Sequence, residues 1–165
     1  MSDDELDELG EARLPFFVYG TLRPGEPNHA VHLRGRTARD EPALLPDAVL
    51  YDGPGYPYAV EHPGKGPVHG DLLTALPAAY APLLAALDHL EEYSPGDPRN
   101  LYERVARDVL DRSGTPVRAW VYVAAPRIAA ALRASGSLIG AGDWASHRNA
   151  QLKRLRTRTG DLNHS

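Results

Sequence analysis

Two features of this chain have the residue types and spacing for chemistry: a glutamate on the apolar side of a helix, and a glycine turn at the end of a strand. On a helical wheel at about 100° per residue, Leu83, Leu84, Leu87 and Leu90 form one apolar arc, and Glu91 projects inside it between Leu84 and Leu87. Glu92 falls well outside the arc and Asp88 lies at its edge. A carboxylate facing a core is costly when ionised, so it either finds hydrogen-bond partners or has its pKa raised. A raised carboxyl exchanges protons near neutral pH, as a general acid or base must. The alternative is a purely structural role, with the helix fraying before Glu91 or an arginine pairing with it. The second feature, Tyr19-Gly20-Thr21-Leu22-Arg23, follows the apolar Phe16-Phe17-Val18. Glycine allows a sharp turn and close approach, so backbone N–H groups there can face a carbonyl oxygen or a carboxylate. The same glycine can equally well just open a loop.

These residues need a scaffold, and most of it reads as strand. Residues 15–19, 48–51, 58–61, 67–73, 102–110 and 117–123 are short, rich in β-formers and separated by Gly and Pro. In the last of them Val117, Ala119, Val121 and Val123 face one way and Arg118, Trp120 and Tyr122 the other. That alternation predicts a curved sheet with one face on a core, and leaves barrel and sandwich both open. The leucine-rich helix is expected to end near Tyr93 and to carry Pro82 in its first turn. A second helix is expected to start at Asp143, a good N-cap, and to run through Trp144 and His147.

Composition narrows the function classes. With 165 residues, 42% of them hydrophobic, the chain suits one compact domain, here placed at residues 14–150. There is no internal repeat. The absence of Cys excludes disulfides, thiolate nucleophiles and Cys-ligated zinc. No apolar run reaches membrane length, and the acidic Ser2-Asp3-Asp4-Glu5 is unlike a signal peptide, so no membrane association and a soluble, cytoplasmic protein are expected. A net charge of −4 gives no support for a nucleic-acid partner. Six acids in the first eleven residues mark residues 1–13 as an acidic tail. Lys153, Arg154, Arg156 and Arg158 mark residues 151–165 as a basic one, and both are read as solvated. His29 and His32 are three apart but follow Pro24-Gly25-Glu26-Pro27 and have no third ligand, so no metal is expected. Gly20 and Gly25 lead into Glu26-Pro27 rather than a phosphate-binding Gly-Lys-Ser/Thr, and no Ser sits in a Gly-x-Ser-x-Gly elbow. Neither ATP nor any other cofactor is expected.

Five short motifs stand in an order and spacing that resemble the γ-glutamylcyclotransferase-like proteins over roughly residues 15–125. They are Tyr19-Gly20-Thr21-Leu22, Gly55-Tyr56-Pro57, His69-Gly70-Asp71-Leu72-Leu73, Leu87-Asp88-x-x-Glu91 and Tyr102-Glu103-Arg104; Gly142-Asp143-Trp144 is a sixth, less specific match. The resemblance implies an α+β fold, a small mixed β-barrel with flanking helices. It also implies an enzyme that cyclises a small γ-glutamyl amine or peptide to 5-oxoproline with release of the amine. By resemblance Glu91 is the general acid/base, and Tyr19, Gly20, Thr21 and Leu22 hold substrate through backbone amides. Tyr102 is then a pocket wall, and Arg104 either binds a carboxylate or braces Glu91. Tyr122 lines the cavity or lies outside it, and Arg23 and Asn28 are candidates for selecting the group attached to glutamate. The sequence departs from the family at Glu92-Tyr93, where a Gly commonly follows the catalytic Glu; this leaves the substrate more open than the chemistry. A non-catalytic small-molecule-binding or interaction protein on the same fold is the competing reading. It conflicts with an inward carboxylate that would have no task. Removal of a γ-glutamyl protecting group in a biosynthetic pathway is a third reading. The leaving amine and the oligomeric state are not encoded in any motif.

Overall fold

The computed structural model describes residues 13–53 and 56–149. Gly55 of the Gly55-Tyr56-Pro57 motif and nearly all of both charged tails lie outside them. Five strands close into a barrel in the order β1 (Phe16–Val18), β5 (Val68–Ala75), β2 (Thr37–Leu45), β6 (Tyr102–Leu110), β7 (Pro116–Ala124). The pairings are antiparallel except for a single parallel bridge, Phe16 opposite Trp120, which joins β1 to β7. A long hairpin, β6–β7, pairs from Tyr102 opposite Ala124 to Leu110 opposite Pro116. Beside it β3 (Ala48–Asp52), β4 (Pro57–Glu61) and β8 (Ser137–Ile139) make a three-stranded antiparallel sheet in the order β4-β3-β8.

Strand alternation divides the apolar residues between two cores. Phe17, Tyr19, Leu45, Leu72, Val109 and Val121 pack together in one. Phe16, Val18, Leu73 and Tyr122 turn to the second, where Leu83 and Leu87 of α2 (Tyr80–Leu90) meet them. Leu83 and Leu87 are fully buried, each stabilising the helix on the barrel by about 1.5–3 kcal/mol. Because β1 is buried on both faces, its sequence is a continuous apolar run rather than an alternating one. The α+β barrel expected from resemblance is the fold observed.

Strands β2 and β8, helices α1 (Pro27–His32) and α3 (Pro126–Ser135), and the 3-10 turn Pro77–Ala79 are absent from the sequence reading. Strand β2 carries Arg39, Asp40, Glu41 and Pro42, a poor strand signature. It survives because it pairs with β5 along its length, apart from an irregularity between Thr37 and Arg39, and touches β6 only at Leu44 opposite Leu110 on the other side. Most of that second edge needs no donors, so Pro42 is tolerated. Helix α3 opens on Pro126 at its first position, which suits a residue without an N–H.

Helix α2 stops at Leu90, three residues before Tyr93. Its end is a Schellman motif, with the Tyr93 N–H on the Asp88 carbonyl (2.8 Å) and the Glu92 N–H on the His89 carbonyl (3.1 Å). The motif puts Glu92 in the left-handed region at φ 53°, a position usually held by glycine. A further helix, 144–149 in its described part, begins after Asp143, whose Oδ1 accepts from the Ser146 N–H at 3.4 Å.

Candidate active site

A cavity of about 350 Å³ opens where β1, the start of β4 and the C-terminal end of α2 converge. The turn Tyr19–Leu22 and Asn28 form one side, Leu90, Glu91 and Glu92 another, and Tyr56, Pro57, Leu101, Tyr102 and Tyr122 the back. Glu91 and the turn, 70 residues apart in sequence, therefore share one space.

Glu91 caps α2, with its N–H on the Leu87 carbonyl at 3.0 Å, so the last helical turn fixes where its side chain leaves the backbone. Its carboxyl makes no hydrogen bond or ion pair with the described residues. Burial alone pushes its pKa from an ordinary 4.5 to about 7, because desolvation disfavours the charged form. A group so placed is half-protonated near neutrality and can both accept and donate.

Across the cavity, the amides of Gly20, Thr21 and Leu22 donate to no acceptor among the described residues. The turn closes through the Arg23 N–H on the Gly20 carbonyl at 3.2 Å, leaving those amides for a carbonyl or carboxylate oxygen. A Cβ on Gly20 would lie 2.9 Å from Cδ of Pro57. The absent side chain thus makes room for β4, a close approach within the chain that the sequence reading did not foresee. Several contacts hold the turn. Asn28 donates from Nδ2 to Thr21 Oγ1 at 2.9 Å. Arg23 pairs with Asp71 (2.7 Å) and Asp143 (3.0 Å). Arg148 forms a two-pronged pair with the buried Glu26. Arg23 does not line the cavity; Asn28 does.

Three of the four wall tyrosines have hydroxyls already committed. The Tyr19 hydroxyl donates to the Tyr122 carbonyl and accepts from the Ala59 N–H. Tyr102 donates to the Pro57 carbonyl at 2.8 Å and stacks on Tyr58 with centroids 4.8 Å apart. Tyr122 donates to Asp88 Oδ1 at 2.6 Å. Burial raises the pKa of all three, so they stay neutral throughout the working range.

Arg104 is placed elsewhere. It faces Tyr122 across the β6–β7 ladder, its Nε lies 3.0 Å from Asp88 Oδ1, and its guanidinium sits 4.4 Å over the Trp120 ring and 5.5 Å from that of Tyr93. It is not among the cavity-lining residues; it braces the helix end that carries Glu91, through Asp88. The sequence reading did not pick out Asp88 as its partner, nor Tyr56 or Leu101 as walls, because each depends on packing between elements far apart in the chain.

The model of the gamma-glutamyl cyclotransferase, AIG2-like family matches residues 16–146, a span that holds every residue of the cavity. The gamma-L-glutamyl-butirosin B gamma-glutamyl cyclotransferase of Niallia circulans is 35% identical over 108 residues, 65% of this chain and 64% of that protein. This chain thus spans just under two thirds of that relative's length. A Vibrio cholerae protein that carries a provisional gamma-glutamylcyclotransferase name is 36% identical over 129 residues, 78% of this chain and 92% of its own. Among solved structures, an AIG2-like protein from Mus musculus superposes with a TM-score of 0.53 at 28% identity, covering 69% of this chain and 80% of that one.

Proposed function

Because the chain belongs to the gamma-glutamyl cyclotransferase, AIG2-like family, we propose that it cyclises a γ-glutamyl amine or peptide to 5-oxoproline, with Glu91 as general acid/base. The observation that carries this reading is a carboxyl raised by burial to a pKa of about 7, facing across one cavity a turn of amides, neither of them partnered among the described residues. The substrate's free α-amine attacks its own γ-carbonyl carbon. A C–N bond forms, Glu91 takes the proton released by the amine, and a tetrahedral intermediate results. Glu91 then returns the proton to the scissile nitrogen as the bond to it breaks, leaving the five-membered lactam and a free amine. The enzyme supplies no nucleophile, so position does most of the work. Folding the glutamyl chain into the attacking conformer draws on the roughly 7–11 kcal/mol available to well-oriented intramolecular reactions. Proton transfer through Glu91 adds about 10²–10⁴ in rate. An amide of the Gly20–Leu22 turn aimed at the developing oxyanion adds about 3 kcal/mol, and the remaining ones hold the α-carboxylate.

Cyclisation and hydrolysis both release the amine and are separated by turnover in heavy-oxygen water. Cyclisation yields 5-oxoproline without solvent oxygen, and substrates with a blocked α-amine are inert. Labelled free glutamate as the first product would refute the reading.

A further inference from the structure

We propose that Glu92 is a specificity-determining residue that selects γ-glutamyl amides whose leaving amine carries a second cationic group, such as diamines and larger polycationic amines. The proposal rests on the cyclotransferase reading and adds to it the class of leaving group. Among the described residues, the cavity is lined by two carboxylates, Glu91 and Glu92, and by no Arg, Lys or His side chain. The cations nearest in sequence to its walls are engaged elsewhere, Arg104 on Asp88 and Arg23 on Asp71 and Asp143. A leaving group with its own carboxylate would therefore meet like charge and no counter-ion. One with a second ammonium meets Glu92.

The placement of Glu92 also points to this role. Its left-handed backbone, φ 53° in the Schellman end of α2, is a conformation that glycine adopts without strain and a side-chain-bearing residue does not. The chain tolerates that strain, and the result is an exposed carboxylate at the cavity wall, one residue beyond Glu91 and without a partner among the described residues. Glu91 is the group that reaches the scissile nitrogen, so Glu92 flanks the path along which the amine extends outward. The C-terminal end of α2 is the negative end of its dipole and favours the same sign of ligand.

The test uses three γ-glutamyl amides of equal length, those of 1,4-diaminobutane, butylamine and 4-aminobutanoate, assayed for 5-oxoproline release by wild type and by Glu92→Gln. Circular dichroism and a thermal melt confirm the fold of the variant. For wild type at low ionic strength, kcat/KM is expected to fall in the order cationic, neutral, anionic, with about a fivefold spread between the extremes, the upper end for an exposed charge pair. Added salt should compress that spread, and Glu92→Gln should reduce it to about twofold or less. A spread that is reversed, or that survives the substitution unchanged, would overturn the role of Glu92 while leaving cyclisation intact. Absence of 5-oxoproline from all three amides would instead overturn the cyclotransferase reading and this proposal with it.

Discussion

Asp88 and Glu91 stand about one turn apart at the end of the same helix, and their surroundings treat them in opposite ways. Asp88 accepts from the Tyr122 hydroxyl at 2.6 Å and pairs with Arg104 at 3.0 Å, while the guanidinium is stacked over Trp120. Its charge is fully answered, and it ties α2 to the β6–β7 hairpin. Among the described residues Glu91 has no cation and no donor, and desolvation lifts its pKa to about 7. Burial alone is thus a poor guide to chemistry in this helix. What separates the two carboxylates is whether a partner accompanies the side chain, and the braced Asp88 holds Glu91 against the cavity.

Breaking the two sides should therefore have different consequences. The largest expected effect is on the open side: Glu91→Gln keeps the shape but removes the proton acceptor, and kcat should fall at least about a hundredfold in a 5-oxoproline release assay. Its stability should hold or rise. Because folding raises the Glu91 pKa from 4.5 to about 7, its favourable contribution is complete below pH 4.5 and is lost as pH rises through 7. Above that, the ionised group costs on the order of 3 kcal/mol. Wild type should lose that stability relative to Glu91→Gln in denaturant melts from pH 4 to 8; a constant gap would contradict the burial of an unpaired carboxyl.

The braced side should respond in stability first. Asp88→Asn keeps an acceptor for Tyr122 but leaves Arg104 without its counter-charge, and should cost about 2 kcal/mol in urea unfolding. Turnover should fall less than tenfold, well short of the Glu91 effect. Equal losses in the two variants would erase the distinction between the two carboxylates.

A smaller effect sharpens the geometry between them. Glu92→Gly removes left-handed strain of about 1–2 kcal/mol and returns part of it as unfolded-chain entropy. A net gain of about 0.5–1 kcal/mol should appear as a melting temperature higher by about 1–4 °C. A lower melting temperature would mean that the Glu92 side chain makes a stabilising contact.

The sequence shows the open side better than the braced one, for physical reasons. Leu83, Leu84, Leu87 and Leu90 mark the buried face of α2 at helical period, so Glu91 stands out among them, although the helix ends at Leu90 and Glu91 is its cap. Strand β6 falls at the expected residues 102–110 because Tyr102, Val105, Val109 and Leu110 space β-formers along it and no Pro interrupts its four charged residues. In contrast, the Asp88–Arg104 pair joins side chains 16 positions apart on different elements, and no local pattern records it. Alternation in β7 separates Tyr122 from the valines, yet only the docking of α2 decides that its face borders the cavity. Strand β2 is hidden by the unbroken run Arg39-Asp40-Glu41-Pro42, which holds no β-former, so its identity comes from pairing with β5 rather than from its own composition.

The most direct test is to titrate Glu91 itself. Carboxyl carbon NMR shifts of glutamate-labelled protein, assigned by the loss of one resonance in Glu91→Gln, report its protonation while kcat/KM is followed over the same pH range. The expected result is a resonance with a midpoint near pH 7 and an acidic limb of kcat/KM that rises with unit slope through the same pH and vanishes in the variant. A Glu91 resonance titrating near 4.5, or a kcat/KM limb indifferent to its removal, would contradict the assignment of Glu91 as the unpaired acid/base.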